Sequence, residues 1–367
     1  MSHAILLADG HKGYGVPIGG VVAHPTRLSV SSCGFDIACG VMCIETDALY
    51  KDIAPNLNKI MDDVVSHISF GIGRINNTEI DHPLFQDAIW QEKFYADLLP
   101  KARAQLGTVG SGNHYVDILH EESTGKISVA CHFGSRGLGH TIATRFIALA
   151  GGKDGMDAPP VTIDTMAQFE LAVAYLSGVR IAGEYAYAGR EYVCRSVVND
   201  ILKAKVVSEV HNHHNFLWRE EHFGEKYWVG RKGSTPAFPG QRGFIGGSMG
   251  DNAVIVEGVD GELSKKALYS TVHGAGRVMS RTQAKGKVHR KTGVKLSEGA
   301  ISPEQMFTWV NNRGLVLRGA DLDEAPQAYR RLPEVLAAQG ETIRVIHNLK
   351  PIGVAMAPSS VIDPYKD

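Results

Sequence analysis

Glycine punctuates this chain, and that bounds what it can fold into. Of its 367 residues, 41 are glycine, and many sit in short, turn-prone segments that also carry histidine, cysteine or aspartate. Glycine permits positive φ and a close backbone approach, so such segments end regular elements rather than extend them. Between them lie short apolar runs, Ile127–Cys131, Val254–Val256 and Gly314–Leu317, that read as strands. Longer periodic stretches read as helices: His140–Ala150, Thr165–Val198 and the region around Tyr329–Ala338. Thr165–Val198 has the firmest pattern, with Phe169, Leu171, Ala172, Ala174, Tyr175 and Leu176 at three and four spacing; Gly178 and Gly183 weaken its middle. There is no regular βαβ series, no fixed-period repeat and no Pro/Ser-rich linker. The expectation is an α+β protein with strands and helices interleaved irregularly.

Composition excludes several classes. Hydrophobic content of 44% and charged content of 21% suit a folded soluble protein with a sizeable core. A net charge of −1 gives no global attraction to nucleic acid, although a local basic groove can hold phosphates without it. Five cysteines, Cys33, Cys39, Cys43, Cys131 and Cys194, are too few and odd in number for a disulfide framework. Cys33, Cys39 and Cys43 fit no standard zinc spacing. No stretch of about 18 apolar residues is present, so no membrane span is expected. The N-terminus lacks the basic start and apolar run of a signal peptide, and a cytoplasmic location is expected.

Five segments carry the chemistry, four of them glycine-rich. They are Gly34–Gly40, Gly107–His114, Cys131–Gly139, His213–Asn215 and His273–Arg277. Asp36 and Cys39 form a D-x-x-C pair whose hard carboxylate and soft thiolate can point at one centre. His114 follows a glycine-rich turn, His132 ends an apolar strand, and a His-His-Asn run offers His213 or His214, with His211 close by. Each alone also suits a buried cysteine, a turn-capping aspartate or a structural histidine; together they point to metal. His222 is expected at the surface or behind the ligands. A neutral imidazole such as His273 can attack phosphorus, and Arg277 can clamp phosphate oxygens. The basic run Arg281, Lys285, Lys287, Arg290 and Lys291 reads as an RNA backbone track or as a solvated face. Gly243–Gly250 is glycine-rich enough to cradle a triphosphate, but it lacks the P-loop lysine.

Taken together, these segments resemble the RtcB family of RNA ligases. The resemblance starts at Asp9-Gly10-His11-Lys12 and runs in order through all five segments, Arg231-Lys232-Gly233, Gly246–Gly250 and Pro351–Val354. It implies a single α+β domain over residues 1–367, with antiparallel sheets packed by helices around a central metal and nucleotide cleft. It implies two manganese ions bridged by Cys39, with Asp36 and His114 completing one site and His132 and His214 the other. His273 would be the nucleophile that GTP guanylylates. Asn113 and Asn215 would touch the GTP, and Ser248, Gly250, Gly274, Ala275, Gly276 and Arg277 would line its pocket, with Tyr329 near the base.

The activity so implied joins an RNA 3′-phosphate or 2′,3′-cyclic phosphate end to a 5′-hydroxyl end, with an archease-type protein as a potential activator. Three other readings stand beside it: a guanylyltransferase for damaged RNA that seals weakly, an inactive RNA-binding homologue, and a simple metallophosphoesterase that would need neither His273 nor GTP. Three departures concern the nucleotide. Asp117 replaces the family's glutamate, Met356 replaces its C-terminal lysine, and the Gly-Ser-Met-Gly segment is preceded by Gly246 in place of proline.

Overall fold

The computed structural model describes residues 2–361 apart from 77, 154 and 289–294. Its largest sheet runs through Arg242–Ile245, Ala253–Gly258, Ile343–Pro358, Tyr115–Glu121, Lys126–Phe133, Gly40–Leu49 and Val206–His213, each antiparallel to the next. An eighth strand, Val316–Ala320, runs parallel to Ile343–Pro358. The two outer strands approach each other: Arg242 Nη1 donates to Ser208 Oγ at 3.2 Å and the Phe244 N–H to Asn212 Oδ1 at 3.5 Å. The sheet thus curls almost into a barrel.

Period-two alternation fills both faces of that sheet. In Gly40–Leu49, Val41 and Cys43 join Leu119, Ala130, Val210, Phe244 and Ile255 inside the curl. Met42 and Ile44 face the other way, onto a core with Val116, Ile118, Val129 and the helix Leu57–His67.

The long helix Met166–Ser196 packs outside the sheet, with Val193 and Cys194 in that same core. Its glycines mark close contacts. A Cβ on Gly178 would lie 3.0 Å from the Tyr95 hydroxyl, and one on Gly183 would lie 2.7 Å from Phe216. The propensity penalty, about 1 kcal/mol for each, is accepted where a side chain would hold neighbours apart.

A second sheet orders His3–His11, Ile18–His24, Glu225–Lys232 and Asn215–His222, all antiparallel. A short pair, Ser234–Pro236 with Ser270–Val272, leads directly to His273. The fold is α+β, with antiparallel sheets packed by helices around a cleft. Several boundaries differ from the sequence expectation, the helix expected from His140 starting at Arg136 for one, and two have a plain local cause. The helix expected around Tyr329 begins at Leu332, because Pro333 suits a first turn and Tyr329 is extended at φ −124°. Gly314 is a turn residue at φ +62°, so its strand starts at Val316. Among the described residues no helix is long and apolar enough to cross a membrane.

Candidate active site

Four neighbouring antiparallel strands bring the sequence-predicted donors to one rim. Tyr115 pairs with His132, and Gly40 pairs with both Phe133 and His213. His114, His132, Cys39 and His214 therefore sit at the same end of adjacent strands. Glycines leave room for them: a Cβ on Gly134 would collide with the Asp36 carboxylate, and one on Gly110 with the His114 ring.

The donors form two groups that share one sulfur. Cys39 with His132 and His214 is the first, and Asp36 with Cys39 and His114 the second; within each, the donor atoms lie within 4.8 Å of one another. Cys39 Sγ is 3.2 Å from His132 Nε2 and 3.7 Å from His114 Nε2. His114 Nε2 is 3.0 Å from Asp36 Oδ2, and His132 Nε2 is 3.2 Å from His214 Nε2. His132 Nδ1 donates to the Asn113 carbonyl at 2.9 Å, which leaves the Nε2 lone pair aimed at Cys39 and His214. Two imidazole nitrogens and a sulfur converging on one point fit a cation between them.

The electrostatics agree. Burial and the charge of His114 lower His132 to about 3, and burial with His273 nearby lowers His214 well below the usual range. Both rings are neutral at pH 7, as metal ligands must be. Burial opposes ionisation of Asp36, but the His114 hydrogen bond and the Arg136 charge hold its carboxyl down to about 2. Burial and the Asp36 carboxylate push the Cys39 thiol well up, so a thiolate here needs a nearby cation.

The turn carrying Cys39 is strained. Ala38 has φ +62°, which costs an L-residue about 1–2 kcal/mol. It is held by hydrogen bonds from the Ala38 N–H to the Asn215 carbonyl at 2.6 Å and from the His214 N–H to the Cys39 carbonyl at 2.8 Å.

His214, not His213 or His211, faces the sulfur. His213 points to the other side, stacked on Phe216 at 4.9 Å. Of the two places expected for His222, the surface is excluded: it is buried in the second sheet with Glu220 at 2.8 Å. Cys33, Cys43, Cys131 and Cys194 are buried free thiols.

His273 lies next to the donors, its ring centroid 4.8 Å from that of His214. Asp9, fully buried, accepts from the His273 N–H at 3.0 Å and from its Nδ1 at 2.6 Å. A carboxylate only accepts, so the proton sits on Nδ1 and Nε2 keeps its lone pair. Asp9 was missed as a site residue by sequence reasoning. The signal was present, an aspartate beside a glycine and a histidine, but its partner is 264 residues away.

These groups open on a cavity of about 740 Å³, ample for a nucleoside triphosphate. Asn113, Asp117, Asn215, Ser248, Gly274, Ala275, Gly276, Arg277 and Tyr329 all line it. Gly250 does not; it turns the chain behind the wall, beside Trp309. Several of these side chains are already engaged. The Asn215 amide bridges the Asp36 carbonyl and the Gly233 N–H, and Ser248 Oγ donates to Asp251 at 2.8 Å. Arg277 donates to Glu324, to the Tyr329 hydroxyl and to the Asp323 and Met279 carbonyls. Lys232 also reaches the cavity and donates to the Tyr14 carbonyl at 2.6 Å; burial lowers it to about 8, so it remains largely charged at pH 7.

The basic run divides. Arg281 is bound to Glu324 at 2.9 Å and Lys285 to Asp321, while Lys287 is exposed. Arg290 and Lys291 lie outside the described residues.

Residues 1–99 and 89–357 match the family model described as tRNA-splicing ligase RtcB. The chain is 31% identical to the RNA-splicing ligase RtcB of Escherichia coli strain K12, over 95% of this chain and 89% of that protein. It is 29% identical to the tRNA-splicing ligase RtcB of Thermococcus kodakarensis, over 96% and 87% of the two chains. It is also 29% identical to the RNA-splicing ligase RtcB homolog 2 of Entamoeba dispar, over 95% and 79%.

Proposed function

The chain belongs to the RtcB family, and from that premise we propose that it is an RNA ligase joining 3′-phosphate or 2′,3′-cyclic phosphate ends to 5′-hydroxyl ends, with GTP as cosubstrate. One observation carries the reading: two donor groups sharing Cys39 stand beside a histidine whose Nδ1 is tied to a buried aspartate. Asp36, Cys39, His114, His132 and His214 would hold two manganese ions, which supply charge neutralisation and alignment for in-line attack at phosphorus.

The protein's own part follows from the geometry. Asp9 holds His273 in the tautomer whose Nε2 can attack. Nε2 forms a bond to the α-phosphorus of GTP, the bond to pyrophosphate breaks, and GMP is left on His273. The RNA 3′-phosphate then takes the GMP from the histidine. The 5′-hydroxyl attacks the activated phosphorus, and GMP leaves. Lys232 adds a cation for phosphate oxygens. The deciding experiment is incubation with labelled GTP and manganese, followed by denaturing electrophoresis and end-joining of an RNA pair. An acid-labile, alkali-stable adduct supports a phosphoramidate. Absence of any adduct, with end-joining intact, would overturn the histidine route.

The proposed base pocket departs from the family pattern this chain resembles at Asp117 and Met356. Met356 pairs in register with Tyr115 and Asp117 with Val354, and all four side chains line the cavity. Burial pushes the Asp117 carboxyl well above its usual range, and its Oδ1 has no protein partner among the described residues. A neutral carboxyl both donates and accepts, so it matches O6 and N1–H of guanine and equally N1 and N6–H of adenine. Guanine selection should therefore be weaker by about one to two decades than with a lysine and a glutamate in these places. Met356→Lys with Asp117→Glu is expected to sharpen it, read as His273 labelling rates with GTP, ATP and ITP. Strict GTP use that the double substitution leaves unchanged would place base selection elsewhere.

RNA binding is proposed to draw on Lys287, Arg290 and Lys291. Reversing all three charges should weaken RNA binding and flatten its logarithmic salt dependence by about 0.7 per lost contact. Arg281 and Lys285 are poor probes, since they are already paired with Glu324 and Asp321. Unchanged affinity in the triple variant would return the run to a solvated face.

A further inference from the structure

We propose that Arg190, on the long helix and outside the cavity, is a positioning residue for the Cys39–His132–His214 group. The inference rests on the metal reading given above. Three of its acceptors are immediate chain neighbours of proposed ligands. Arg190 Nη1 donates to the Ala38 carbonyl at 2.9 Å and to the Phe133 carbonyl at 2.7 Å, and Nη2 donates to His213 Nδ1 at 2.9 Å. Ala38 precedes Cys39, Phe133 follows His132, and His213 precedes His214. One planar guanidinium thus ties together the ends of three different strands.

The setting suits this role better than that of a charge partner. Arg190 and Arg231 are the two largest side chains that are fully buried. Arg231 has Glu220 as a bidentate partner at 2.6 and 3.0 Å. The acceptors found for Arg190 are two carbonyls and two imidazoles, the fourth being His211 Nε2 at 3.1 Å. A buried cation held only by neutral acceptors is costly, and it persists where several backbone segments need one rigid fork. The strained Ala38 turn is such a segment. Gly189 lets the helix come close enough, since even a Cβ there would lie 3.3 Å from Phe133. Lysine, with one nitrogen on a flexible stem, cannot hold three strand ends at once.

Among the described residues Asp36 and His114 make no hydrogen bond to Arg190, whereas the neighbours of His132 and His214 do, so the effect should fall mainly on the Cys39–His132–His214 group. The probe is cobalt(II) alone, followed by its absorption and by the thiolate-to-cobalt charge-transfer band. The intact protein is expected to bind two ions. In Arg190→Lys, one of the two steps should weaken by about 10- to 100-fold, the range for groups that orient ligands, with an altered charge-transfer band and the other step retained. His211→Leu removes one acceptor of the same fork from the side away from the ligands and should shift the same step less. A general packing role would lower the melting temperature and leave both cobalt steps alone. Two unchanged steps in a folded Arg190→Lys protein overturn the inference. If that variant does not fold, unchanged cobalt binding in His211→Leu overturns it. An intact protein that binds no cobalt overturns the metal reading instead.

Discussion

Asp9→Asn is expected to slow covalent labelling of His273 by about 10²- to 10⁴-fold while the protein stays folded, the range seen when a general-base histidine loses its orienting carboxylate. Asp9 Oδ2 takes two hydrogen bonds from His273, one from the backbone and one from Nδ1. The first fixes where the ring starts and the second fixes which nitrogen is free. Asparagine keeps one acceptor but brings two donors into a fully buried position, where Oδ1 has no protein partner among the described residues. It can then turn its NH₂ toward Nδ1 and stabilise the tautomer with the proton on Nε2, the wrong one for attack. The charge that would stabilise a cationic phosphoramidate is lost as well. His273→Ala should abolish the adduct altogether. The measurement is the single-turnover labelling rate with saturating GTP. A rate for Asp9→Asn within a factor of three of the parent would mean that the ring is oriented by something else.

The second large effect is at Cys39. Cys39→Ala should remove at least one of two bound ions and cut labelling by more than about 10²-fold, since even groups that only orient ligands cost 10- to 100-fold in metal affinity. The sulfur belongs to both donor groups, so its loss cannot be confined to one. A serine in its place is a poor substitute, because a buried hydroxyl ionises far less readily than a thiol. Elemental analysis of the purified protein after manganese loading reads the occupancy directly. Two ions and full activity in Cys39→Ala would sink the shared-ligand assignment, whatever the fate of the other four residues.

Much of this was legible in the chain, for identifiable reasons. Four of the five proposed ligands, Asp36, Cys39, His114 and His132, lie close to glycines in the chain, and that juxtaposition is local. The long helix was legible from spacing alone, since 31 residues give the period many turns in which to show itself. What a single strand cannot reveal is register. His213 ends the strand Val206–His213 and His214 sits in the bend that follows, so only the folded turn shows which of the two faces the sulfur. Asp9 was hidden because its meaning depends on a partner at the far end of the chain. The basic run is ambiguous in sequence for the same reason. Arg281 and Lys285 look free in sequence, but Asp321 and Glu324, from a segment some distance along, neutralise them. Sequence displays charges; pairing is a property of the fold.

The rim of strand ends also dictates an order of assembly. Cys39 and His132 are separated by 93 residues, and His132 and His214 by 82. Closing loops of that length on a metal alone is entropically steep, and nothing holds the donors near one another until the strands have paired. At the proposed site metal capture would therefore be a late event, following folding rather than nucleating it, unlike a zinc finger whose ligands are near neighbours. An ion bound there would stabilise by mass action a sheet that has already curled. On that reading the chain would fold without metal, and the supply of metal would set how much of it is active.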